Sequence, residues 1–151
     1  MASPEMLTSA PAPDASGSYR AMREALRQAQ VSPECVDYVN AHGTSTPLAD
    51  SLELQAVHRL FGTASKTLSM SSSKSSLGHL LGVAGEVESI ISNLATQKGI
   101  LPPILNLENC SESTDTDLLP FKAKEKKGAL CLVEFLWVWG TNASLLFKAF
   151  G

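Results

Sequence analysis

Two histidines lie in short loops rich in glycine and small hydroxyl residues, and they are the side chains best placed to do chemistry. The first sits in Val39-Asn40-Ala41-His42-Gly43-Thr44-Ser45-Thr46-Pro47-Leu48. The second sits in Ser73-Lys74-Ser75-Ser76-Leu77-Gly78-His79-Leu80-Leu81-Gly82, with Lys74 five positions before His79. A histidine pair can bind a metal, move protons, or donate hydrogen bonds to a developing oxyanion. Metal is the weakest of the three: no acidic ligand stands at helical spacing from either histidine. The third histidine, His58, falls in the middle of a predicted helix and reads as a surface residue. Cys35, Cys110 and Cys131 are odd in number, irregularly spaced and free of any CxxC pair. That pattern argues against a disulfide framework or a structural zinc site and for a reducing compartment. None of the three stands at a strand-to-helix elbow among small residues, where a nucleophilic thiol would be activated.

The elements that must position the two loops can be traced in order. Residues 1–17 are rich in Ala, Pro, Ser and Asp and read as a loose terminal segment, with the domain proper over 18–151. Good helix formers over residues 20–30 place Ala21, Met22, Ala25, Leu26 and Ala29 on one side. A short strand over 36–39 then leads to His42. A second helix is predicted from Asp50, with Glu53 three residues on as a capping box, running to Phe61 before Gly62 stops it. Residues 67–71 form a strand that feeds the Lys74–His79 loop. Leu80, Val83, Ala84, Val87, Ile90, Ile91 and Leu94 recur at helical spacing and predict a long helix up to Lys98. Gly78, Gly82 and Gly85 at its start cost about 1 kcal/mol each in a helix and suggest close backbone packing there. A long connector with prolines and acidic residues covers 101–127, and two strands, about 130–137 and 144–150, close the chain. Helices alternating with strands imply an α/β domain, a sheet covered on its faces by helices.

Bulk composition is consistent with one such domain. The chain has 151 residues, is 44% hydrophobic and 18% charged, and carries a formal net charge of −3. No basic stripe interleaved with aromatics is present, which argues against nucleic acid as a partner. Lys122, Lys124, Lys126 and Lys127 cluster in the polar connector and read as a solvated loop. The first residues lack the basic start and apolar stretch of a secretory signal. No apolar run approaches the ~20 residues needed to span a bilayer, so no membrane association is expected.

Taken together, VNAHGTSTPL (39–48), SSKSSLGHLLGVAG (72–85), the LPP and LNLE segments within 101–108, and GTNASLLF (140–147) resemble the second half of a β-ketoacyl-acyl-carrier-protein synthase. The resemblance covers nearly the whole chain from about residue 6. It implies one half of the thiolase fold, a mixed sheet with helices. It also implies decarboxylative condensation of malonyl-carrier with an acyl thioester, in fatty-acid or polyketide chain elongation. In that family a cysteine of the first half takes up the acyl group, and no matching cysteine stands in these residues. Condensation by this chain alone is therefore not expected. Alternatives are residual malonyl decarboxylation, or a non-catalytic remnant or interaction subunit.

The resemblance assigns residue roles. His42 and His79 would contact the malonyl thioester and stabilise its enolate oxygen, a donor worth about 3–4 kcal/mol when well placed. At least one of the two must then be neutral. Lys74 matches the family's catalytic lysine and Glu88 the carboxylate paired with it; an ordinary buried ion pair that organises the loop is the alternative. Thr44 and Thr46 match residues that hold the phosphopantetheine arm, or are simply turn hydroxyls. No metal or organic cofactor is implied beyond that phosphopantetheine. The implied partners are acyl carrier protein and either an N-terminal synthase half or a second copy, because half of a two-half fold leaves an apolar face bare. The implied compartment is the cytoplasm or a mitochondrial or plastid matrix. Departures from the family run Asn-Ser-Phe-Gly-Phe-Gly-Gly-Thr-Asn fall on 134–142, where Glu134 opens the segment. Trp137 and Trp139 replace glycines, and Val138 replaces a gating phenylalanine, which implies an altered acyl gate. Ala49 for glycine is a milder change.

Overall fold

The computed structural model describes residues 14–136 and 141–150. The Trp137-Val138-Trp139 replacements and most of the N-terminal segment lie outside these described residues. Strands β1 (Tyr38–Asn40), β2 (Ser69–Ser71), β3 (Ile100–Leu101), β4 (Lys124–Glu125), β5 (Leu130–Leu136) and β6 (Asn142–Lys148) alternate with four α-helices. These are α1 (Ser16–Ala29), α2 (Pro47–Phe61), α3 (Lys74–Leu77) and α4 (Ala84–Lys98). The main sheet has the order β2-β1-β5-β6. β1 runs parallel to both β2 and β5, and β6 closes antiparallel on β5, with Leu132 opposite Leu146.

Strand periodicity sorts the side chains of β5 between two cores. Leu130 and Leu132 join Met22 and Leu26 of α1 and Ala56, Val57 and Phe61 of α2. Cys131 points the other way, into a cluster with Tyr38, Ala95 of α4 and Leu101. Helices therefore cover both faces of a mixed sheet, the α/β arrangement that the alternation of elements predicted. α1 begins four residues earlier than expected and takes Ser16 and Gly17 out of the loose segment.

Two helix starts differ from expectation. α2 begins at Pro47, not Asp50, because proline's fixed φ suits the first helical position and its missing N–H costs nothing there. Glu53 makes no capping box and instead turns inward, as described below. α4 begins at Ala84, since Gly78 (φ +77°) and Leu81 (φ +51°) hold the preceding residues out of helical geometry. Of the glycines there, Gly85 is the one in close packing: a Cβ would meet the Phe135 ring at 3.1 Å, whereas Gly78 and Gly82 face open space.

α4 also turns in an unexpected direction. It buries Glu88, Ser92, Ala95 and Thr96 against its own sheet. Its apolar face looks outward, with Ile90 60% and Leu94 48% exposed, and Leu80, Leu81 and Val83 of the preceding turn are exposed as well. Exposed apolar side chains in such number are what an interface would cover. The chain alone should therefore self-associate at micromolar concentration, and light scattering that finds a monodisperse monomer would contradict this.

The connector is more ordered than expected. β3 and β4 pair antiparallel across it, Ile100 opposite Glu125. Its four lysines are exposed as predicted, yet Lys124 bonds Asp117 at 2.8 Å and Lys126 bonds Asp37 at 3.0 Å. His58 is half-buried rather than a plain surface residue: its Nε2 meets the Thr114 hydroxyl at 2.9 Å and that of Thr116 at 3.3 Å, clasping the connector to α2.

Candidate active site

Adjacent parallel strands bring the two histidine loops together. β1 and β2 end side by side, Asn40 opposite Ser71, so the chain leaving each strand emerges at the same edge of the sheet. Ligands of open α/β sheets gather at that carboxyl end. The His42 and His79 rings meet edge to face there, 5.6 Å between centroids. The Leu81 N–H donates to His79 Nδ1 at 3.2 Å, which puts the proton of a neutral His79 imidazole on Nε2. Burial, then Lys74, then His79 push the His42 pKa down to about 4, so that ring is neutral at pH 7.

Lys74 opens α3 with its side chain 5% exposed, and its Nζ is ion-paired with Glu88 of α4, 3% exposed. Burial raises the Glu88 carboxyl above the ordinary range in spite of the lysine's pull. Thr44 and Thr46 sit at the exposed lip of the first loop, their hydroxyls 3.1 Å apart.

Three polar residues that the sequence did not assign to the site hold this arrangement. Asn40, fully buried, donates to the Ser73 hydroxyl (3.0 Å), the Ser92 hydroxyl (3.0 Å) and the Glu88 carbonyl (3.3 Å). Its Oδ1 accepts from the Ser73 N–H at 3.3 Å, so one carboxamide ties β1, the Lys74 loop and α4 together. Glu53 reaches back from α2 and accepts the His42 N–H at 2.7 Å and the Gly43 N–H at 2.9 Å. The Ser72 hydroxyl donates to the Gly43 carbonyl at 3.1 Å. The signal for Asn40 was a polar residue in a run of buried strand; Glu53 was hidden by a helical spacing that also suits a cap.

Gly43 has φ +33°, and a Cβ there would stand 2.7 Å from Ser72 Cβ. Gly43→Ala is therefore expected to lose about 1–3 kcal/mol of stability in urea denaturation, from backbone strain and the clash.

The three thiols stand apart from this site. Cys131 is buried in the sheet with its pKa pushed up to about 12, chiefly by desolvation. Cys35 ends the turn Pro33–Cys35, and Cys110 lies in the connector. Among the described residues no cluster of three or more His, Cys, Asp or Glu is placed to hold a metal ion. No described helix is long and apolar enough to cross a membrane.

Residues 4–108 match the model of the β-ketoacyl synthase C-terminal domain. The chain belongs to that family. It is 48% identical over 141 residues to 3-oxoacyl-[acyl-carrier-protein] synthase 2 of Rhizobium meliloti, covering 93% of this chain and 33% of that protein. A Schizosaccharomyces pombe relative, named as a mitochondrial 3-oxoacyl-[acyl-carrier-protein] synthase assigned provisionally, is 42% identical over 155 residues, 99% of this chain and 36% of its own. The β-ketoacyl synthase of Burkholderia phymatum superposes with TM-score 0.85 at 33% identity, over 92% of this chain and 34% of its own. A type II PKS acyl-carrier protein in complex with its ketosynthase gives TM-score 0.89 at 26% identity, over 95% and 35%. The fold is thus that of the thiolase-like ketosynthases, and the chain spans about a third of the length of the curated relatives it matches.

Proposed function

We propose that this domain supplies the decarboxylation machinery of a 3-oxoacyl-[acyl-carrier-protein] synthase of fatty-acid biosynthesis. The observation that carries the reading is the meeting of two histidine rings at the carboxyl edge of adjacent strands, one held neutral and the other with Nε2 as its donor. With the carbonyl oxygen of a malonyl thioester between them, cleavage of the bond to the carboxylate sends its electron pair toward that oxygen. Carbon dioxide leaves, and N–H donors fixed where the negative charge grows lower the barrier. The resulting enolate then attacks an acyl thioester held on a cysteine that this chain does not supply near the site.

In this reading Lys74 and Glu88 set the field beside His42, and Thr44 and Thr46 hold the phosphopantetheine arm at the lip. The natural partners are the carrier protein and a polypeptide that covers the outward face of α4. The name of the S. pombe relative supports a mitochondrial compartment, and the cytoplasm is the other compartment in this reading.

The test is to incubate the protein with a malonyl-pantetheine thioester and follow carbon dioxide and the acetyl thioester. Release of both, without carbon–carbon bond formation, is expected from this chain. If no release occurs even after the rest of a synthase from a close relative is added, the reading fails.

A further inference from the structure

Behind the His42 loop two carboxyl groups share one buried space. Glu134 of β5 is fully buried and Glu53 of α2 is 2% exposed. Glu134 has the same strand parity as Leu130 and Leu132, so it points toward α1 and α2. Its neighbours are the Glu53 carboxyl and the Ser18 hydroxyl of α1, and neither Glu134 oxygen makes a hydrogen bond of good geometry. On β6 the residue opposite is Ser144, uncharged, with its own hydroxyl buried and unpartnered. Asp50, also on α2, adds a further negative charge felt by Glu53. The Lys74–Glu88 pair belongs to the other side of the sheet, where α4 meets Phe135. Among the described residues neither Glu53 nor Glu134 forms an ion pair with a cation.

Two carboxylates cannot both stay charged in such a place, and sharing one proton resolves the conflict. Geometry decides where the proton sits. Both oxygens of Glu53 already accept backbone N–H groups, from His42 and Gly43, which favours its charged form. Glu134 accepts no backbone N–H, and the Ser18 hydroxyl beside it makes no hydrogen bond of good geometry with it. We propose that Glu134 keeps its proton at neutral pH and donates it to Glu53, forming a one-proton latch that holds the backbone of His42 and Gly43. Glu134 is then a positioning residue: it never meets substrate but braces the carboxylate that braces the loop. The latch stands on the packing alone, so it can fail or hold independently of the synthase reading.

The sign of the pH effect follows. Burial, then the Glu53 charge, raise the Glu134 carboxyl well above the ordinary range. Its stabilising contribution is thus complete below the unfolded-state pKa, about 4.3, and is lost as pH rises through the folded value. Glu134→Gln keeps a donor at every pH and has no proton to lose. Across that window the folding equilibrium constant of E134Q should gain on the wild type tenfold per pH unit, the linkage of one proton. Exchange of the His42 and Gly43 amides should accelerate with pH beyond the intrinsic rate in the wild type and not in E134Q.

The experiment uses the full 151-residue chain with carboxyl-labelled glutamate. Infrared spectra at pH 7 should show the carbonyl stretch of a buried protonated acid, absent from E134Q. Stability curves of the two proteins that run parallel with pH, or a labelled wild type without that band, would overturn the latch. If E134Q does not fold, the infrared titration of the wild type decides alone.

Discussion

His42→Ala is expected to lower the rate of malonyl decarboxylation by about 10²–10³-fold, the usual cost of removing one donor from a developing oxyanion. The loss should fall on kcat with little change in KM, because the donor strengthens only as charge develops. An unchanged rate in this variant would remove His42 from the mechanism and leave a binding role for the domain. The pH profile offers a second check. His42 is neutral down to about 4 rather than its ordinary 6.5, so activity should persist below pH 6.5 and fall as pH drops through about 4. The same depression has a stability consequence. The histidine's contribution is complete above its unfolded pKa and is lost as falling pH approaches and passes the folded value.

Lys74→Ala and Glu88→Ala should each cost about 3–5 kcal/mol in urea denaturation. Both side chains are almost wholly buried, and removing either leaves its partner charged and unpaired in the interior. A loss under about 1 kcal/mol, the range of exposed pairs, would mean that water reaches the site freely. Replacing both residues with methionine should recover most of the stability, since a buried ion pair is often no better than apolar residues of similar volume. That double variant also separates the two roles open to the pair. If it folds and still releases carbon dioxide at the wild-type rate, the pair only organises the loop; if it folds without activity, the field of Lys74 belongs to the chemistry.

Much of the site could be read from residue types alone. Glycine and hydroxyl residues around His42 and His79 indicated tight loops at strand ends, and the order of strands and helices indicated a covered sheet. The meeting of the two rings followed from β1 and β2 being neighbours. The helical repeat from Leu80 to Leu94 was real over its second part, yet it described a face and not a direction. α4 turns that apolar face outward and presents Glu88 and Ser92 to its own sheet, because the Asn40 carboxamide and Lys74 are there to satisfy them. Hydrophobic periodicity registers that side chains lie together, whereas the choice of surface they meet depends on partners distant in the chain.

The residue types and their spacing by themselves determined the α/β class, the two histidine loops and the absence of a suitably placed thiol, while the Lys74–Glu88 pairing was implied only by the family resemblance. Tertiary structure alone decided that Asn40 is a hub, that Glu53 braces the His42 backbone instead of capping its helix, and that Glu134 faces Glu53 across the core. The physical reason is common to all three. A buried polar group must find partners wherever the packed chain brings them, and residues on separate elements become neighbours only when the sheet is assembled.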